Sequence, residues 1–174
     1  MTNKQIFVGG KSHGKIPEEV IVKAKRIGAL IASRGMLLVT GGTLGIPEAA
    51  VLGAKSVGGL TLAISPGKNF DEHVNLYTQS VLSDFYVYTG SGDMARNIFN
   101  IRSADAAIFL GGGMGTLNEF TSAYSEGKPI GVLTGTGWIS PEFERIIEYS
   151  GKAPKNLVFF EDSPDVLIDK LLGT

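Results

Sequence analysis

Short apolar runs alternate with amphipathic stretches along the whole chain. Seven runs are continuous: Gln5 to Val8, Met36 to Val39, Leu60 to Ile64, Asp84 to Tyr88, Ala106 to Leu110, Pro129 to Leu133 and Leu157 to Phe160. Runs of this kind predict short strands covered on both faces, as in a parallel sheet. Helical patterns lie between them. Val20, Ala24, Ile27 and Ile31 form one apolar stripe in a helix from Pro17 to Arg34, ended by Gly35. Pro47 suits a first helical turn, and Glu48 to Ser56 continue it with an Ala- and Gly-rich composition that predicts close packing on a sheet. Asp93 is placed to cap a helix reaching about Ser103, and Thr116 to Glu126 form the next. Ser140-Pro141 cap a helix through Tyr149, and Ser163-Pro164 open a terminal one. Residues 65–83 show no period and predict a loop with local turns.

Strand–helix alternation over residues 1–174 predicts one Rossmann-like α/β domain, a doubly wound, mostly parallel sheet with helices on both faces. Ligands of such sheets bind beyond the carboxyl ends of the strands, near the point where strand order reverses. Each glycine-rich element of this chain falls at a strand end of that kind.

Composition narrows the picture. The chain has 24 Gly, clustered at the ends of apolar runs, and a net charge of -1 with no Lys/Arg block. That balance argues against a nucleic-acid partner. With no cysteine, disulfides, thiolate metal sites and a Cys nucleophile are excluded. His13 and His73 lack ligand spacing, so no metal site is expected. The polar start, Met1 to Gln5, has no signal-like region, and no apolar run reaches membrane-spanning length. The expectation is a cytoplasmic protein without a membrane partner.

The richest motif is Gly111-Gly112-Gly113-Met114-Gly115-Thr116-Leu117-Asn118-Glu119, which follows a strand and opens a helix. Glycines let the backbone approach a ligand, and the helix start offers unpaired N–H groups at the positive end of its dipole. The element predicts a phosphate cradle with the Glu119 carboxylate one turn inside. Thr116-x-x-Glu119 equally fits a capping box, in which Glu119 serves only the helix.

Gly41-Gly42-Thr43-Leu44-Gly45 closes the second strand, either as the opposite wall of a shared cleft or as a plain tight turn. Gly9-Gly10-Lys11-Ser12-His13-Gly14-Lys15 has P-loop spacing, but Ile16 stands where a metal-binding hydroxyl is required, which excludes an ATPase. Ser12 and Lys11 remain candidate ligand contacts. No G-x-G-x-x-G follows the first strand, so a nicotinamide-dependent dehydrogenase is unsupported. Arg96 sits in a first helical turn, where the dipole disfavours a cation. It is either a solvated surface residue or a cleft residue facing Glu119 or a ligand anion. Trp138 either covers a base or packs at a contact.

Three features together resemble the Lonely Guy superfamily, long given a lysine decarboxylase label. They are Arg96 in an M-x-R-N helix start, the strand Ala104-Asp105-Ala106-Ala107-Ile108, and G-G-G-x-G-T-x-x-E. Gly9-Gly10 and the Gly41-Gly42-Thr43-x-Gly45 turn fit the same pattern, so the resemblance spans nearly the whole chain. It implies homodimers or homotetramers. In the best-known branch it implies a phosphoribohydrolase that splits N6-substituted AMP without a cofactor. Arg96 and Glu119 would then be the catalytic pair, with Gly112, Gly113, Gly115 and Thr116 on the phosphate.

That branch carries Pro-Gly-Gly and Arg-Lys where this chain has Gly111-Gly112-Gly113 and Arg96-Asn97. The forms here look more like the branch containing molybdenum cofactor carrier proteins. The expected ligand is accordingly a phosphorylated nucleotide, phosphate or molybdenum cofactor. Its expected contacts are Gly9, Gly10, Ser12, Gly41, Gly42, Thr43, Asn97, Gly111, Gly112, Gly113, Met114, Gly115 and Thr116. A carrier is the first reading, a nucleoside 5′-monophosphate phosphoribohydrolase the second, and an oligomeric protein whose glycines only pack the fold the third. Pyridoxal-dependent decarboxylation has no motif here.

Overall fold

The computed structural model describes residues 4–151 and 158–172. Among them, seven strands form one sheet: β1 (Gln5–Gly10), β2 (Leu37–Thr40), β3 (Thr61–Ser65), β4 (Phe85–Tyr88), β5 (Ala106–Leu110), β6 (Ile130–Leu133) and β7 (Val158–Glu161). Their order is β4-β3-β2-β1-β5-β6-β7, and each neighbouring pair is parallel. All carboxyl ends therefore lie at one edge. Leu157, expected to begin the last strand, lies outside the described residues.

Among the described residues, six α-helices cover the sheet: α1 (Glu18–Ser33), α2 (Ile46–Ser56), α3 (Asp93–Arg102), α4 (Met114–Ser125), α5 (Phe143–Tyr149) and α6 (Pro164–Leu172). Alternate residues of each strand face opposite layers. Ile6, Val8, Ile108 and Leu110 pack with α1, α2 and α6, while Phe7, Val39, Ala107 and Phe109 pack with α3, α4 and α5. This two-sided burial is why the central strands read as continuous apolar runs; edge strand β4, against expectation, leaves Phe85 and Val87 exposed because no strand or helix among the described residues covers that face. Phe120 stacks on Phe143 at 3.9 Å, and both meet Phe109 edge-on, which anchors α4 to the sheet.

Three local expectations differ from the structure. The small residues of α2 serve a helix–helix contact as well as the sheet: a Cβ on Gly53 would stand 1.9 Å from the Lys25 carbonyl, and one on Gly28 1.9 Å from that of Ala50. Neither Asp93 nor Thr116 caps its helix. Gly92 and Gly113 occupy those cap positions, and each helix starts with no side-chain cap bond. The proline at 141 sits in a 3-10 turn (Ser140–Glu142) ahead of α5 rather than in the helix itself.

Residues 65–83 are more ordered than their sequence predicts. They contain a π-helical turn (Glu72–Leu76) around the fully buried His73. The His73 ring is hydrogen bonded through Nδ1 to the Ser65 hydroxyl (2.9 Å) and through Nε2 to the Ser80 carbonyl (2.8 Å). Ser80 in turn donates its N–H to Gly42 (2.7 Å) and its hydroxyl to Glu48 (2.9 Å). The segment is thereby fixed against the carboxyl end of β2.

Candidate functional site

The chain runs outward from β1 through β2 and β3 to β4, then returns along α3 to β5 on the other side of β1. Connections therefore leave β1 and β5 in opposite directions, which opens a crevice between their carboxyl ends. A cleft of about 500 Å³ lies there. Gly9 to His13, Gly41 and Thr43 form part of its wall, as do the first turns of α3 and α4. Leu76, Tyr77, Gln79 and Trp138 also line it.

The glycines of this cleft fall into two groups. In the first, the fold leaves no room for a side chain. A Cβ on Gly9 would lie 2.9 Å from Glu119 Oε2, one on Gly10 2.4 Å from the Leu110 carbonyl, and one on Gly41 1.8 Å from Arg96 Nη1. At Gly112, φ is +89° and a Cβ would lie 2.1 Å from the Thr116 hydroxyl. In the second group, Gly113 and Gly115, a Cβ would meet nothing within 4 Å. Both border the cleft. Packing does not require glycine at either position, and both stand at the start of α4, where the helix borders the cleft. The first N–H groups of α4 have no carbonyl one turn earlier to bond. The result is an accessible concave surface of donors at a positive helix end.

Behind it, α3 and α4 bring polar side chains together. Glu119 is only 7% exposed; it faces inward and accepts a hydrogen bond at Oε1 from Asn100 Nδ2 (2.8 Å). This contact replaces the capping-box role, since the carboxyl group is turned away from the helix start. Burial pushes the Glu119 carboxyl up to about 7, against the opposing charge of Arg96 and the Asn100 bond.

Arg96 is 4% exposed and borders the cleft, which removes the solvated-surface reading. Its Nη1 donates to the carbonyls of Gly41 (2.7 Å) and Ile64 (3.3 Å), and Nη2 pairs with Asp93 at 3.6 Å. Arg96 thus acts on Glu119 through space, and its bonded partners are backbone oxygens at the ends of β2 and β3. Burial lowers the guanidinium pKa, while Glu119 and Asp93 raise it.

Most of the residues singled out in the sequence converge on this cleft: Gly9, Gly10, Ser12, Gly41, Thr43, Arg96, Asn97, Gly112, Gly113, Gly115, Thr116 and Glu119 border it. Gly42, Gly111 and Met114 do not. Gly42 faces His73, Gly111 lies against the Trp138 ring, and the Met114 side chain is 73% exposed. Asn100, Tyr77 and Gln79 were not foreseen. Asn100 had a signal, since it lies four residues after Arg96 on one face of α3. Among the described residues, no group of three or more His, Asp or Glu side chains is placed to hold a metal ion. Nor is any helix long and apolar enough to cross a membrane.

Sheet order and the site at the switch point define a Rossmann-like α/β protein. Within that class the chain belongs to the SLOG cluster4 family, whose model matches residues 3–168. It is similar to an uncharacterized protein from Archaeoglobus fulgidus, 39% identical over 132 residues that cover 75% of this chain and 81% of that protein. Among solved structures it resembles the molybdenum cofactor binding protein from Rippkaea orientalis. There the TM-score is 0.80 with 34% identity, over 97% of this chain and 95% of that one. It also resembles the molybdenum cofactor carrier protein from Chlamydomonas reinhardtii, with TM-score 0.77 and 28% identity over 99% of both chains.

Proposed function

We propose that this protein binds a phosphorylated nucleotide or molybdopterin-type ligand and acts as its carrier. The start of α4 at the cleft, where Gly113, Gly115 and Thr116 line the wall and the first-turn N–H groups lack helical partners, carries this reading. A phosphate group is the ligand part that suits such a surface. Ser12, Thr43, Asn97 and Thr116 supply further polar contacts around the cleft, and Gly9, Gly10 and Gly41 let its floor pack tightly. The likeness to two proteins named for molybdenum cofactor binding supports the pterin member of that ligand class. A homo-oligomer is the expected assembly.

A second reading, a nucleoside 5′-monophosphate phosphoribohydrolase, is favoured by one observation. Glu119 places a buried carboxyl with a pKa near neutrality at the cleft, next to the charge of Arg96. Such a group can orient water or stabilise a developing oxocarbenium charge.

Incubation of the purified protein with AMP separates these readings. A carrier shows a ligand-dependent rise in melting temperature and releases no adenine. Adenine release that disappears in Glu119→Ala establishes the hydrolase instead. No rise with AMP or with molybdenum cofactor, even at high concentration, leaves the glycines a packing role only.

A further inference from the structure

Trp138 has no role in the phosphate cradle, yet its placement is constrained. It carries φ of +54°, a conformation that a bulky side chain adopts only when its surroundings impose it. The loop that holds it is bonded at several points. Thr136 Oγ1 donates to the Leu133 carbonyl (2.8 Å) and accepts from the Gly111 N–H (2.9 Å), and the Ile139 N–H donates to Gly112 (3.2 Å). The strand end before the cradle and the Trp138 loop therefore form one rigid unit.

The indole rests against Gly111, where a Cβ would come within 2.5 Å of Cε3. The side chain is still 40% exposed and borders the cleft. From the other side of the crevice, Lys11 brings Nζ to 4.8 Å from the ring centroid. A fixed aromatic surface beside a phosphate cradle, with a flexible cation over it, suits a planar ring joined to a phosphate. The ring can stack on indole. The ammonium, held by a cation–π contact, can turn to the ligand's anionic part.

We propose that Trp138 and Lys11 form a ring subsite, so that the bound ligand is a phosphorylated planar heteroaromatic compound stacked on the Trp138 indole with Lys11 turned towards it. The proposal rests on the phosphate-binding reading of α4. In the bound complex the ring is held separately from the phosphate.

AMP and ribose 5-phosphate are suitable probes, because they share the phosphoribosyl group and differ by the ring. Trp138 is the only tryptophan of the chain, so its emission reports this subsite alone. At mixing with wild-type protein, AMP quenches that emission and ribose 5-phosphate does not. AMP binds more tightly by about five- to hundredfold, the size expected of one stacking contact. Trp138→Leu removes the difference by weakening AMP alone, Trp138→Phe retains most of it, and Lys11→Met weakens both ligands.

Equal affinity of the two ligands for wild-type protein, with no AMP-dependent quench, overturns the ring subsite and leaves the cradle standing. Failure of both ligands to bind, with no rise in melting temperature from molybdenum cofactor either, overturns the cradle and the subsite together. A Trp138 signal that follows protein concentration and ignores AMP also overturns the subsite and assigns the indole to a contact between copies. The fluorescence arm needs no variant, so the proposal can be tested even where Trp138→Leu does not fold.

Discussion

Asn100 Nδ2 and Glu119 Oε1 lie 2.8 Å apart in a buried contact that ties α3 to α4 beneath the cleft. The bond orients a carboxyl group that burial pushes up to about 7, so that it is only about half ionised near neutral pH. An acid whose pKa rises on folding keeps its proton in the native state where the unfolded chain has released it. Its stabilising effect is therefore whole below the ordinary value of 4.5 and is lost as pH rises through about 7. Thermal unfolding of wild-type protein should lose stability across that window, by a few kcal/mol at most on the order expected for such a shift. Glu119→Gln should flatten the loss; an identical slope in the variant would remove Glu119 as its source.

His73 works in the opposite direction. Burial lowers its pKa from 6.5, so the folded state excludes a proton that the unfolded chain accepts. Its stabilising effect is present above about 6.5 and falls away as the solution is acidified. His73→Gln should lose that acid sensitivity. It should also cost about 1–3 kcal/mol through the broken bonds to Ser65 and Ser80. Limited proteolysis should then cut within residues 66–83 before any other segment. Retained protease resistance there would show that His73 does not hold the segment.

The two groups of cleft glycines predict two kinds of variant. Gly115→Ala should leave the melting temperature unchanged or slightly higher, because the new Cβ meets nothing in the protein, and Gly113→Ala, at the helix cap, should cost no more than about 1 kcal/mol. Both should weaken AMP binding by tenfold or more, about 1.4 kcal/mol. Gly112→Ala should instead lower stability by about 1–3 kcal/mol, given its positive φ and the contact with Thr116. Unfolding curves paired with AMP titrations check each variant, and unchanged AMP affinity in both Gly113→Ala and Gly115→Ala would detach the ligand from α4.

Arg96 joins the carboxyl ends of β2 and β3 to α3. Arg96→Ala leaves the Gly41 and Ile64 carbonyls without that donor in a buried place, so a loss of about 3 kcal/mol or more is expected. Arg96→Lys keeps the charge but cannot reproduce the planar geometry, and should fall between the two. Denaturant unfolding measures both; a stable Arg96→Ala would show that the strand ends do not depend on this side chain.

The strands were legible because a sheet covered on both faces leaves no polar position along Ala106 to Leu110 or Ile130 to Leu133. The cleft was legible because the glycines that build it stand at the strand ends. The role of Glu119 was only half legible. Thr116-x-x-Glu119 has capping-box spacing, but α4 begins earlier, at Met114, and this places the carboxyl in the interior instead of at the helix start. Residues 65–83 gave no period because their order comes from His73 and its tertiary partners, Ser65 and Ser80. The same holds for Arg96, whose backbone partners Gly41 and Ile64 lie 55 and 32 positions away in sequence.

A crystal structure of the protein with AMP bound tests the central claim most directly. Phosphate oxygens are expected within about 3 Å of the N–H groups of Gly113, Met114, Gly115 and Thr116. A phosphate bound elsewhere in the cleft, with α4 left without a ligand contact, would contradict it.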